Sequence, residues 1–370
     1  MAGLTSLGSV TLTDRILMGP GPCNPYPEVA RALARPMLGH LDPDFLALLD
    51  EVNEMLRRVW RTSNVLTFPI SGTGSAGMEA SFVNFVEPGD PVVIGVNGVF
   101  GGRMVDLANR LGADVITVEE QWGRTIDPQR LLEAHPSPKI IAVVHAETST
   151  GVRNDIAALG RDKGEALLLV DCVTSLGGIP VPVDEWGIDV AYSGTQKCLG
   201  VPPGLAPMTV SDRAREMILP RPVSWYLDLN MISRYVTGEG ARAYHHTAPI
   251  SMIYALHGGL TAILDEGLEE SWTRHGEVGT ALQNGLAERG YELWAQAGFR
   301  LPELTTVTLP HGVEDTHYRH ELLNRYGIEI GGGLGPVAGR VWRIGLMGHT
   351  ARHRNVTALL GALDEIGAGL

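Results

Sequence analysis

A lysine placed where a strand ends is the first residue of this chain whose setting suggests chemistry. Residues Asp189 to Leu205 read DVAYSGTQKCLGVPPGL. Asp-Val-Ala-Tyr is a short apolar run of strand type, Ser-Gly-Thr is turn chemistry, and Lys197 follows before a Pro-Pro-Gly stop. In open α/β folds ligands bind at the carboxyl ends of strands. A lysine partly shielded from water there loses proton affinity and becomes a nucleophile or Schiff-base former. Taken alone, a loop lysine is a solvated charge, so the weight falls on two stretches upstream.

The first runs from Ile70 to Ala80, passing from a strand through glycines into a helix. A helix start with free N–H groups and little side-chain bulk holds a phosphate, which makes Thr73, Gly74 and Ser75 candidates. Gly72 to Gly77 also fits GxGxxG, a weak signal that alone describes no more than a tight turn. A dinucleotide site wants an acid about 20 residues on, and Asn97 stands there, favouring a bare phosphate ester over NAD. The second stretch, Ala166-Leu-Leu-Leu-Val-Asp171, is a buried-strand pattern ending in a carboxylate. Such an acid is costly to desolvate without a positive partner, and a pyridinium N–H is one; a cap on the following Cys-Val-Thr-Ser turn is the plainer alternative. Asp171, the phosphate turn and Lys197 together supply grips for the three functional edges of pyridoxal phosphate.

The elements that must position these residues can be read from the pattern. Pro43 follows Asp42 as a first helical residue, and Phe45, Leu48, Leu49, Val52, Met55, Leu56 and Val59 recur at three and four residues, predicting an amphipathic helix. Apolar runs at Val65–Ile70, Pro91–Val96, Asp114–Val118, Lys139–Val144, Ala166–Asp171 and Asp189–Tyr192 alternate with helical segments. That order predicts an α/β fold with a mostly parallel sheet flanked by helices. After about Glu266 longer polar helices (271–289, 317–325) surround short strands (304–309, 341–344), predicting a smaller C-terminal α+β domain. The expected division is a segment 1–20, a large domain 21–265 and a small domain 266–370. The Gly- and Pro-rich run Met18 to Pro27 is expected to be an extended loop with exposed backbone.

Composition narrows the partners. The chain has 370 residues, 44% of them apolar, and 42 acidic against 29 basic residues give a formal charge of −13. No basic stripe gathers to track phosphates, which argues against nucleic acid. Neither a leader-like amino terminus, a peroxisomal carboxyl terminus nor a run of roughly 18 apolar residues appears, so no membrane span and a cytoplasmic location are expected. Cysteines at 23, 172 and 198 lack CxxC spacing, which speaks against a disulfide framework or structural zinc. His145, His245 and His246 match no metal spacing and read as structural.

Seven strings in order, SGTGSAGMEA, GVNGVFGGR, HAETSTGV, LLLVDCVTSLGG, YSGTQKCLGVPPG, RAYHHTAP and VWRIGLMG, resemble those of the class V aminotransferases of PLP fold type I. The likeness is strongest to the alanine:glyoxylate (serine:pyruvate) aminotransferases and spans essentially the whole chain. It implies Lys197 as the cofactor-bound amine, Asp171 on the pyridine nitrogen, Val173 on one ring face, and Phe100 on the other in place of the usual tryptophan. Thr73, Gly74, Ser75 (where a histidine is usual) and Gln196 would surround the phosphate, and Thr148 would lie beside the ring hydroxyl. Tyr244 and Thr247 would reach in from the partner subunit of a homodimer.

Arg343 matches the arginine that takes the substrate carboxylate, with Gly19 of the Gly-Pro loop a further substrate-binding candidate. Arg343 stands between Trp342 and Ile344, and a buried guanidinium there would need an anion. With no second arginine recognised, small amino acids (alanine, serine) and small 2-oxo acids (glyoxylate, pyruvate) are the expected substrates. Ureidoglycine:glyoxylate, phosphonate-amine and kynurenine-type transaminases stay open. Cysteine desulfurases need a thiol in the C-terminal part, and no cysteine follows 198.

Overall fold

The structure is a computed structural model that describes residues 13–238 and 242–368. The first twelve residues of the 1–20 segment and the final Gly-Leu, both read above for targeting, lie outside the described residues.

Strands in chain order are β1 (Ile16–Met18), β2 (Leu66–Ser71), β3 (Pro91–Val96), β4 (Asp114–Glu119), β5 (Ile140–Val144), β6 (Ala146–Glu147) and β7 (Val152–Arg153). They continue with β8 (Leu167–Asp171), β9 (Val190–Tyr192), β10 (Leu205–Val210), β11 (Glu292–Leu293), β12 (Leu304–Thr308), β13 (Ile328–Gly332) and β14 (Val341–Gly345). A seven-stranded sheet runs β2-β10-β9-β8-β5-β3-β4. Strands β4, β3, β5, β8 and β9 are parallel. Strand β10 is antiparallel to both β2 and β9, so β2 points the same way as the other five. Those six strands therefore end along one edge of the sheet, where an open α/β fold builds its sites.

The helix Pro43–Trp60 forms as the spacing requires: Asp42 accepts from the Asp44 amide at 2.9 Å, and Phe45, Leu49, Val52 and Leu56 go into the core. It packs with the helix Ile250–Glu266 against the large sheet. Gly267, at φ +96°, separates that helix from the next, Leu268–Glu288, which belongs to a second core around the sheet β1-β13-β14-β12-β11. Strand β1 pairs in parallel with β13, so the chain begins its described course in the smaller sheet before crossing to the larger body. A bridging cluster of Cys23, Ala146, Ile179, Cys198, Leu301, Leu304 and Met347 joins the two. Among the described residues no helix is long and apolar enough to cross a membrane.

Candidate active site

Five loops leaving the shared edge close around a cavity of about 210 Å³ whose lining includes Thr73, Gly74, Ser75, Phe100, Thr148, Asp171, Val173, Gln196 and Lys197. Lys197 lies five residues beyond the end of β9 and is 8% exposed. Burial, with the charge of Arg343 adding to it, lowers its pKa to about 8. Its Nζ donates to the carbonyl of Pro20. Gly21 takes φ +97°, and a Cβ there would lie 2.6 Å from Lys197 Cδ, so glycine lets the loop pass the lysine. The Gly-Pro loop is thus no exposed linker: the Cys23 amide donates to Gln196 O at 3.0 Å, the Tyr26 amide to Gly200 O at 3.1 Å, and the Cys23 thiol to Lys197 O at 3.1 Å. The expected exposed backbone is corrected by these bonds, which replace water with the lysine loop.

Asp171 closes β8 and is buried. Its Oδ1 accepts from the Val173 amide and its Oδ2 from the Tyr192 hydroxyl, each at 2.8 Å. Burial raises its pKa to about 6, against the pull of those two bonds. Among the described residues it makes no ion pair, so a carboxylate costly to bury lines the cavity with only the more distant charge of Lys197 to offset it.

At the opposite end, Thr73 caps the helix Gly74–Val83 without a side-chain capping bond. The Ala76 and Gly77 amides turn back to Thr73 O at 2.8 and 3.4 Å, which leaves the amides of Gly74 and Ser75, two residues of the cavity lining, as the helix-start donors. A side chain at 74 would meet Val173 Cγ2 at 2.9 Å, so the glycine lets that valine close on the turn. Gln196 Oε1 is buried without a partner. A neutral-capable amine, a buried acid and the donors of a helix start fit the aldehyde, ring nitrogen and phosphate of pyridoxal phosphate.

Phe100 is half-buried, with the Arg103 guanidinium 4.8 Å from its ring centroid. Thr148 Oγ1 bonds Thr174 Oγ1. Arg343, on β14, is buried; its Nε donates to Gly332 O at 2.8 Å and its Nη1 lies 3.4 Å from Thr148 O. Burial lowers its pKa to about 10, and the charge of Glu147 opposes the drop. Gly19 is buried, its Cβ position 3.9 Å from the Gly331 amide.

Tyr244 and Thr247 are not in this cavity: both are exposed and bond each other at 3.2 Å. His145 meets Trp186 edge-on at 5.3 Å, and His245 bonds Trp225 O. No group of three His, Cys, Asp or Glu among the described residues is placed to hold a metal.

Three contributors escape the sequence reading. Arg103 lines the cavity with its guanidinium on the Phe100 ring. Tyr192 reaches Asp171 because β8 and β9 align these two positions. Glu147 sits in HAETSTGV beside Thr148, and its only sequence signal is an acid three residues past a buried strand.

Residues 25–352 match the family model Aminotransferase class-V. The chain belongs to this family. An alanine–glyoxylate aminotransferase from Nostoc sp. superposes with a TM-score of 0.93 at 48% identity, covering 98% of this chain and 97% of that one. A Bacillus subtilis (S)-ureidoglycine–glyoxylate transaminase is 38% identical over 95% of this chain and 90% of its own. The alanine–glyoxylate aminotransferase of Callithrix jacchus is 39% identical over 97% and 89%. The fold is PLP fold type I, and class V aminotransferases of this fold use pyridoxal phosphate.

Proposed function

We propose that the chain transfers an amino group between a small amino acid, alanine or serine, and a small 2-oxo acid, glyoxylate or pyruvate, as a homodimer. The observation that carries the substrate class is Arg343: a buried guanidinium with no carboxylate partner among the described residues, beside the lysine cavity. Arg103, by contrast, is exposed and engaged with the Phe100 ring, which leaves one buried fork for one carboxylate.

Bound pyridoxal phosphate supplies an aldehyde carbon and an electron-accepting ring that acidifies the substrate Cα–H. The turn at Thr73, Gly74 and Ser75 with Gln196 would hold the phosphate, and Asp171 would accept the ring N–H, itself oriented by Tyr192. Val173 and Phe100 would flank the ring, with Thr148 at its hydroxyl. Lys197 Nζ would hold the aldehyde, then take the proton from the substrate Cα once an amino acid replaces it. Arg343, with Gly19 giving room, would set that Cα in reach by gripping the carboxylate. Tyr244 and Thr247 would complete the phosphate cradle of the other subunit.

Two half-reactions through one site call for ping-pong kinetics. A panel of amino donors against glyoxylate, pyruvate and 2-oxoglutarate tests the reading: alanine or serine with glyoxylate should lead. Faster turnover of glutamate with 2-oxoglutarate would refute it. The second reading, a ureidoglycine donor, draws on the 38% identical Bacillus subtilis relative and keeps glyoxylate as acceptor, so the same panel separates donors.

A further inference from the structure

Glu147 is fully buried, and no residue of the proposed reaction explains it. It stands on β6, in the loop between β5 and Thr148. Its Oε1 accepts from the Ser149 amide at 3.0 Å and the Ser149 hydroxyl at 2.5 Å; its Oε2 accepts from the amides of Phe100 at 3.1 Å and Gly101 at 3.3 Å. The Ser149 hydroxyl in turn accepts from the Val99 amide at 2.9 Å. Four donors on two oxygens is the pattern of a carboxylate, which has no proton to give. These amides open the helix Val99–Arg110, whose N-cap, Gly98, makes no side-chain capping bond. A methyl group at 98 would collide with Glu147, so the glycine leaves the acid room to reach the helix start.

The helix it caps carries Phe100, whose ring lines the same cavity as Val173. A phenylalanine ring carries no polar group to anchor it, so its placement rests on the backbone that bears it. We propose that Glu147 is a positioning residue: it grips the amides of Phe100 and Gly101 and so fixes the ring that would stack on the cofactor. The inference rests on the functional reading above, in which Phe100 covers pyridoxal phosphate.

Glu147→Gln keeps the shape but turns one oxygen into an NH2, so one pair of donors must lose its acceptor whichever way the amide sits. The experiment is equilibrium binding of pyridoxal phosphate to apoprotein, followed by protein fluorescence, for wild type, Glu147→Gln, Phe100→Ala and the double variant. The circular dichroism band of the bound cofactor is recorded alongside. Glu147→Gln should weaken binding by roughly tenfold or more and shrink the band, from the cost of unsatisfied buried donors, yet add little in the Phe100→Ala background. Equal weakening in both backgrounds, or none in either, overturns the proposal. If Glu147→Gln does not fold, Ser149→Ala removes the Val99 partner and one donor, and should shift binding the same way by a smaller factor; no shift overturns the proposal. Wild-type protein that takes up no cofactor would instead refute the functional reading.

Discussion

Lys197 illustrates how a residue acquires reactivity from its burial. Removing its ammonium from water and placing Arg343 nearby both favour the neutral amine, and its pKa comes down from 10.5 to about 8. Only the neutral amine attacks an aldehyde. The rate at which apoprotein captures pyridoxal phosphate should therefore climb as pH rises through about 8 and level off above it, measured by stopped-flow absorbance. A climb delayed to the range of a solvated lysine would sink the assignment. Arg343 makes a second claim at this scale: Arg343→Ala should lower kcat/KM for both oxo acid and amino acid on the order of thirtyfold to several thousandfold, the cost of a lost desolvated charge pair. Arg343→Lys should recover little, since an ammonium cannot match the two-pronged fit. That Lys197 and Asp171 would meet at one sheet edge was legible in the sequence, because Asp171 ends a strand pattern and Lys197 follows the turn after one. The carbonyl that holds the lysine was not, since Pro20 lies 177 positions away and only the folded chain brings it there.

Strands show the same divide between local and distant information. The parallel strands that aim the site were readable from apolar runs, but β10 was not. LAPMTV carries Pro207 and follows Pro-Pro-Gly, which reads as a break. The sheet tolerates it because the backbone of Pro207 faces the β9 side just past the last ladder pair there, Met208 with Tyr192, and its carbonyl still accepts from the Ser193 amide at 2.7 Å. The junction of the two sheets hides a second feature. Glu303 precedes β12, is fully buried, and neither carboxyl oxygen has a hydrogen-bond partner. Burial raises its pKa from 4.5 to about 8, with its own amide and the charge of Arg153 pulling weakly the other way. The folded chain keeps the proton that the unfolded chain releases, so stability falls as pH rises from 4.5 towards 8 and levels off above. At pH 7 that loss amounts to about 3 kcal/mol. Glu303→Gln has no proton to lose, so its melting temperature should gain on wild type steadily between pH 5 and pH 8. Parallel curves across that range would show that the acid is ionised, and hence paired, in the folded protein.

At the scale of the whole molecule, the α/β plan was readable from residue patterns, while the homodimer came only from family resemblance, because a surface for another copy would look in sequence like any exposed loop. The folded chain exposes Val223 (80%), Trp225 (60%) and Tyr244 (55%). Ring contacts run along the same stretch: Trp225 on His245 at 4.4 Å, Tyr226 on His246 at 4.5 Å, Tyr244 on His40 at 4.9 Å. An apolar patch of this kind on a chain of net charge −13 is costly to leave in water, and repulsion between copies would have to be overcome by what the patch buries. Under the proposed homodimer a second copy would cover this patch, and Tyr244 and Thr247, which stand outside their own cavity, would be delivered to that copy's phosphate turn. Sedimentation should give twice the chain mass at micromolar concentration. Trp225→Asp should push the equilibrium towards monomer and weaken pyridoxal phosphate binding in step with the monomer fraction, since each turn at 73–75 would lose the neighbour's two hydroxyls. Tyr244→Phe should leave the dimer intact and weaken the cofactor alone. A wild-type monomer with undiminished cofactor affinity would break the link between this face and the site, and the cradle would then have to close within one chain.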